Sequence, residues 1–164
     1  MRVATAPGDR HSLWRQYTRG APVEESLRLC RALKNTARLA RVCTYLAELT
    51  LWEGNLEQAA HWLAQSLEQQ TDPHRLTIFQ VTRLFVAARL ATAQQQYQRA
   101  AMLFGLADQI HSQIHYVIAG PMRSLADVAL ATVREALDPA FFAEAFVTGQ
   151  QLSLAEGLAT FLRP

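Results

Sequence analysis

Apolar positions recur at helical spacing on both sides of Gly54-Asn55: Val42, Leu46, Leu49 and Leu51 precede the break, and Leu56, Ala59, Ala60, Leu63 and Leu67 follow it. Residues three and four apart share one face of a helix, so the pattern predicts two helices joined by a turn. Their apolar stripes must meet. Ala59 lets the backbones approach, and Leu46 and Leu63 fill the seam. The same order returns around Tyr97, where Thr82 to Ala93 is followed by Gln95-Gln96 and then by Tyr97, Ala100, Ala101, Leu103, Phe104 and Ala107. Leu56 and Tyr97 hold equivalent places, 41 residues apart. A helix-turn-helix unit repeated at that period predicts an all-α, right-handed helical-hairpin solenoid of about nine helices.

Turn and cap signals divide the rest. Residues 1–8, with Pro7 and Gly8 and no periodicity, read as a mobile arm. Residues 9–35 hold N-terminal helices: His11 to Arg19 behind Asp9, then a helix opened by Pro22 whose apolar stripe is Leu27, Cys30 and Leu33. Residues 36–70 form repeat 1, with Thr36 as the expected cap. Repeat 2 covers 72–113 and should start at Asp72-Pro73, where proline's missing N–H costs nothing. Its first helix carries Leu76, Phe79, Leu84, Val86 and Leu90 on more than one face, as expected of an element sandwiched between neighbours. A degenerate repeat 3 spans 120–150, opened by Gly120-Pro121 and again by Asp138-Pro139. Phe141, Phe142 and Phe146 supply aromatic area and Gly149 is the expected stop. Ser153 and Glu156 form a capping box that launches a closing helix over 153–162.

Charge adds an asymmetry to this picture. Residues 1–41 carry nine Lys or Arg against three Asp or Glu, and the remainder seven against eleven, so a formal net charge of +2 divides into +6 and −4. Arg15, Arg19, Arg28, Arg31, Arg38 and Arg41 make nucleic acid a rival partner, against the simpler reading of a solvated basic helix face. Cys30 and Cys43 lack a Cys-x-x-Cys spacing, and buried free thiols are expected. No run approaches the roughly eighteen apolar residues that a membrane span needs, and the N-terminus lacks an apolar signal core. The expectation is a cytoplasmic protein with no membrane partner.

Aligned on their alanines, the units resemble tetratricopeptide repeats. Ala47, Gly54, Leu56, Ala59, Leu63 and Ser66 match in the first unit, and Ala88, Tyr97, Ala100, Phe104 and Ala107 in the second, with Gln95 replacing the turn glycine. Tyr97 to Phe161 is similar to the end of the helical arm in bacterial signal-transduction ATPases and LuxR-type transcriptional regulators, through Val133 to Leu137, the phenylalanine helix, Gly149 and Leu152-Ser153-Leu154. Neither flanking module of those proteins is expected here, since no Gly-x-x-x-x-Gly-Lys-Ser/Thr loop occurs. The resemblance implies protein or peptide recognition in a bacterial signalling or transcription-control system.

Candidate chemistry is sparse. His111 and His115 are four apart with Asp108 a turn earlier, which is ligand spacing, yet a fourth ligand is lacking and helix-end imidazoles suit the dipole. His61 and His74 stand alone. No Gly-x-Ser-x-Gly elbow occurs, and Glu24-Glu25 complement a first helical turn. No enzyme, cofactor or metal site is therefore expected. In such a solenoid the first helix of each unit lines the concave side. That assigns Arg41, Thr44, Glu48, Leu51 and Trp52 in one unit and Thr82, Phe85, Arg89 and Thr92 in the next to a partner-binding face, with Arg41, Thr44, Glu48, Trp52, Phe85 and Arg89 at its centre. Aromatic area beside forked guanidinium donors suits a protein contact. The alternative that Trp52 and Phe85 are core stays open, as do self-association as a homodimer and a small molecule lodged between helices.

Overall fold

Asparagine caps and left-handed turn residues, more than helix propensity, set where the helices begin and end. A computed structural model describes residues 23–69, 77–114 and 121–162, all-helical and without a strand among them. The described helices are α1 (Val23–Ala32), α2 (Thr36–Trp52), α3 (Leu56–Glu68), α4 (Ile78–Ala93), α5 (Tyr97–Ile114), α6 (Pro121–Ala136), α7 (Pro139–Gln151) and α8 (Leu154–Leu162). The helix expected over His11 to Arg19 and the start expected at Asp72-Pro73 lie outside the described residues, and α4 is described from Ile78, behind Thr77. No helix among the described residues is long and apolar enough to cross a membrane.

Three turns share one geometry. Lys34, Gly54 and Gln95 each take a positive φ, of 50°, 80° and 60°. The next amide then reaches back to the preceding helix: Asn35 N to Cys30 O at 2.9 Å, Asn55 N to Thr50 O at 2.9 Å and Gln96 N to Ala91 O at 2.8 Å. This is the hydrogen bond that closes a helix with a left-handed residue just beyond its last turn. Asn35 and Asn55 then cap the following helices, their side-chain oxygens accepting from Arg38 N at 3.0 Å and Gln58 N at 3.1 Å. The cap is therefore Asn35, one residue before Thr36, because its carboxamide reaches the third helical amide while Thr36 is already helical. A side chain at positive φ crowds its own carbonyl and glycine does not. Gln95→Gly should accordingly raise stability by about 1 kcal/mol and Gly54→Ala lower it by a similar amount, read as opposite shifts of the urea midpoint at constant slope.

Packing follows from these turns. α2 and α3 pack face to face, and so do α4 and α5. Ala47, Ala59 and Leu63 are buried in the first pair, and their equivalents Ala88, Ala100 and Phe104 in the second. α4 also meets α2, α3 and α6. Every residue from Arg83 to Ala91 is buried, so over this stretch the helix has no solvent face, which explains its weakly periodic sequence.

The C-terminal third departs from a face-to-face hairpin. α6 lies on α4 and α5, but α7 packs chiefly on α5 and touches α6 little. Gly149, expected to end its helix, sits inside α7. A Cβ there would stand 1.9 Å from the Met102 carbonyl oxygen, and one on Gly105 would stand 2.1 Å from that of Phe146. The two glycines let α5 and α7 cross at backbone contact. Asp138 caps α7 by accepting from Ala140 N at 2.8 Å, behind Pro139 as expected. Ser153 and Glu156 form the expected box, Ser153 N donating to Glu156 Oε2 at 2.8 Å and Glu156 N to Ser153 Oγ at 3.3 Å. Hydrogen bonding to Ser153 also holds the Glu156 carboxyl below its ordinary pKa. Two apolar expectations fail: Leu33 is exposed because α1 has already ended at Ala32, and Phe141 faces solvent while Phe142 and Phe146 pack with ring centroids 5.6 Å apart.

Candidate functional site

α2 and α4 lie side by side, and the side chains between them form a polar seam. Glu48 Oε1 accepts from Arg89 Nη1 at 2.6 Å, both side chains buried. The two partners are 41 residues apart, the same spacing that separates Leu56 from Tyr97. Nearer the helix starts, the Arg41 guanidinium lies 5.6 Å from the Phe79 ring centroid. Two contacts in this order mean that α2 and α4 run parallel.

This placement revises the binding face expected from the sequence. Glu48 and Arg89 satisfy each other in a buried pair, and a guanidinium so engaged offers little to a partner. Thr44 is fully buried, its hydroxyl donating to the Ala40 carbonyl at 3.0 Å and meeting Ser66 Oγ at 2.7 Å. Ser66 Oγ also lies within hydrogen-bond reach of the Ala40 carbonyl, at 2.8 Å; each hydroxyl has one proton, so when Thr44 donates to Ala40, Ser66 donates either to the same carbonyl or to Thr44, and these short polar groups satisfy one another in the α2–α3 seam. Phe85 is buried, 6.4 Å from the Phe104 ring, with Arg123 at 6.0 Å over its face. Of the six central residues, only Arg41 is exposed; Trp52 is partly so, as are Leu51, Thr82 and Thr92.

What remains accessible is an arginine–aromatic edge at the starts of α2 and α4. Arg41 and Arg83 both approach Phe79, at 5.6 and 5.5 Å, from an exposed and a buried position respectively. Arg83 is anchored from beneath, donating to Gln80 Oε1 at 3.0 Å and to the Ser66 carbonyl at 2.8 Å. Burial lowers its pKa to about 10, which still leaves it cationic at neutral pH. Two cations on one ring fix its orientation and raise the local positive potential, which suits an approaching carboxylate. Periodicity alone places Phe79 among the apolar positions of its helix and gives Arg83 no role. The signal available for Arg83 was a lone cation inside an otherwise apolar helix. For the ion pair, the signal was opposite charge at equivalent positions of the two units.

Other titratable groups form no comparable site. Asp108, His111, Arg123 and Asp127 line a cleft between α4, α5, α6 and α7 whose volume of about 40 Å³ holds little more than a water. Asp108 there accepts from Gln150 Nε2 at 3.1 Å, and Arg123 Nε lies 2.9 Å from Asp127. His115 and His74 lie outside the described residues, and among the described residues no three His, Cys, Asp or Glu stand together so as to hold a metal ion. Of the basic row, Arg28 pairs with Glu25 at 2.7 Å, Arg31 and Arg38 are exposed, and Arg15 and Arg19 lie outside the described residues.

Both cysteines are buried free thiols, and burial pushes the Cys43 thiol from 9.0 up to about 11. A thiol with a raised folded-state pKa stabilises the fold fully below its unfolded value, and the contribution disappears as pH rises through the folded one. The stability of the wild type relative to Cys43→Ala should therefore fall between about pH 9 and pH 11, measured by urea unfolding. Comparison of the chain with protein-family models, with curated proteins and with solved structures gives no match.

Proposed function

We propose that the chain is a tetratricopeptide-type solenoid, right-handed in its stacking, that binds a protein or peptide within a bacterial signalling or transcription-control system in the cytoplasm. The observation that carries this reading is the Glu48–Arg89 pair between equivalent residues of successive units. Repeat stacking produces such contacts wherever neighbouring first helices lie in register. The common turn geometry at Gly54 and Gln95 and the matched burial of Ala47 with Ala88 and Ala59 with Ala100 support the same conclusion.

Within that architecture the working surface is the edge formed by Arg41 and Phe79, with Trp52 further along α2. A rigid aromatic ring supplies contact area at small entropic cost, and the exposed guanidinium selects a carboxylate. The ligand class is thus an acidic peptide segment.

Selection from a displayed-peptide library, with wild type as bait and Arg41→Glu as counter-bait, tests this. Wild type should enrich carboxylate-bearing sequences that the variant fails to retain, while circular dichroism of the two proteins superimposes. Recovery of the same peptides by both baits would refute the assignment. Arg89→Glu is unsuitable as the control, because it would set two carboxylates against each other in the buried seam.

A further inference from the structure

The exposed apolar side chains are not scattered. Among the described residues the large hydrophobics that face solvent are Leu29 (43%) and Leu33 (75%) beside the first helix, and Val128 (66%), Phe141 (65%) and Val147 (49%) on the sixth and seventh. None lies on the two central hairpins, α2 to α5. At the first end, Leu29, Leu33 and Val42 line a groove of about 290 Å³ between α1 and α2, with Arg38 on its wall. At the other, Phe141, Glu144 and Val147 follow one another at three-residue spacing on α7, and all three are exposed. They form one arc of the helix, with a carboxylate between two apolar side chains.

The ends are also opposite in charge. Residues 23–42 carry five basic side chains and two acidic ones, whereas residues 121–162 carry two and five. An apolar groove with a cation on its wall therefore stands at one end of the chain, and an apolar ridge with an anion at its centre at the other.

The geometry points to head-to-tail self-association, in which the outer arc of α7 from one copy seats in the α1–α2 groove of the next, Glu144 facing Arg38. The occupant is a second copy of this chain, for two reasons. Apolar side chains that face solvent side by side, as Leu29 and Leu33 do along the groove and Phe141 and Val147 along α7, mark contact surfaces where singly exposed ones do not. A cation on the groove wall and an anion within the ridge favour the cross pairing of groove with ridge over groove with groove or ridge with ridge, which would oppose like charges. Because the two patches differ, the contact is heterologous, and each added copy leaves a fresh groove and a fresh ridge. The contact uses neither Phe79 nor Trp52, so its failure leaves the proposed peptide face untouched.

Sedimentation velocity of the full chain over a concentration series, at low and high salt, tests the inference. Wild type should associate progressively, and salt should weaken the association. Arg38→Glu and Glu144→Arg should each weaken it by roughly tenfold or more. An equimolar mixture of the two variants should regain it, because each mutant groove then meets a mutant ridge of opposite charge and each native groove a native ridge. Both positions are exposed, and circular dichroism confirms that each variant keeps its helices. A wild type that stays monomeric to its solubility limit overturns the inference. So do single variants that associate as wild type does, or a mixture that stays as weak as its components.

Discussion

Arg89→Ala should unfold at a much lower urea concentration than the wild type, with a loss of about 3 to 5 kcal/mol. The replacement leaves the Glu48 carboxylate buried between α2 and α4 with its 2.6 Å partner removed. A carboxylate in that position cannot recover its hydration, so the cost is chiefly that of an uncompensated charge. Glu48→Ala should be comparably damaging, since it strands the guanidinium. The double variant Glu48→Leu, Arg89→Leu should recover most of the loss, because two apolar side chains of similar reach remove both desolvation penalties together. Equilibrium urea unfolding of the wild type and these three variants measures each loss and how much of it the double variant recovers. If each single variant costs no more than about 1 kcal/mol, the pair behaves as a solvent-exposed one and the parallel register of α2 on α4 is wrong.

Gly149→Ala should cost about 3 kcal/mol, the upper end of the usual range for overpacking. The added methyl would stand 1.9 Å from the Met102 carbonyl oxygen, and the obstacle is backbone inside a helix, which a rotamer change cannot move. The helices must separate, and the buried residues on the α5 side of the crossing lose contact as they do. Gly105→Ala meets the Phe146 carbonyl in the same way and should behave alike. Alanine is the better helix former by about 1 kcal/mol, so a neutral or stabilising result in thermal unfolding would show that α5 and α7 do not cross there.

The contrast between these residues and the turns shows where the sequence was legible. Pro121, Pro139, Asp138, Ser153 and Glu156 act within a few residues of themselves, through fixed φ or a local hydrogen bond, and the helix starts they imply are found. Asn35 displaced Thr36 as a cap because two adjacent residues both had suitable side chains. Gly149 was misread for a different reason. A glycine late in an apolar helix signals either a stop or a close crossing, and only its partner at Met102, far away in the chain, decides between them. The site residues divide similarly. The sequence placed Thr44, Glu48, Phe85 and Arg89 on one face of their helices but could not say whether that face was hollow. Polar residues of α2 are used up by neighbouring helices, Glu48 by Arg89 of α4 and Thr44 by Ser66 of α3. Arg41, at the start of its helix, escapes this and stays exposed.

α4, buried through its middle turns, joins partners that are near in sequence. α2 and α3 come before it, α5 and α6 after it, and among the described residues no substantial helix pairing reaches more than three elements along the chain. Closing such short loops costs little entropy, so assembly can start at this central helix and spread outward without waiting for the termini to meet. Contacts this local belong to the kind of topology that folds fast.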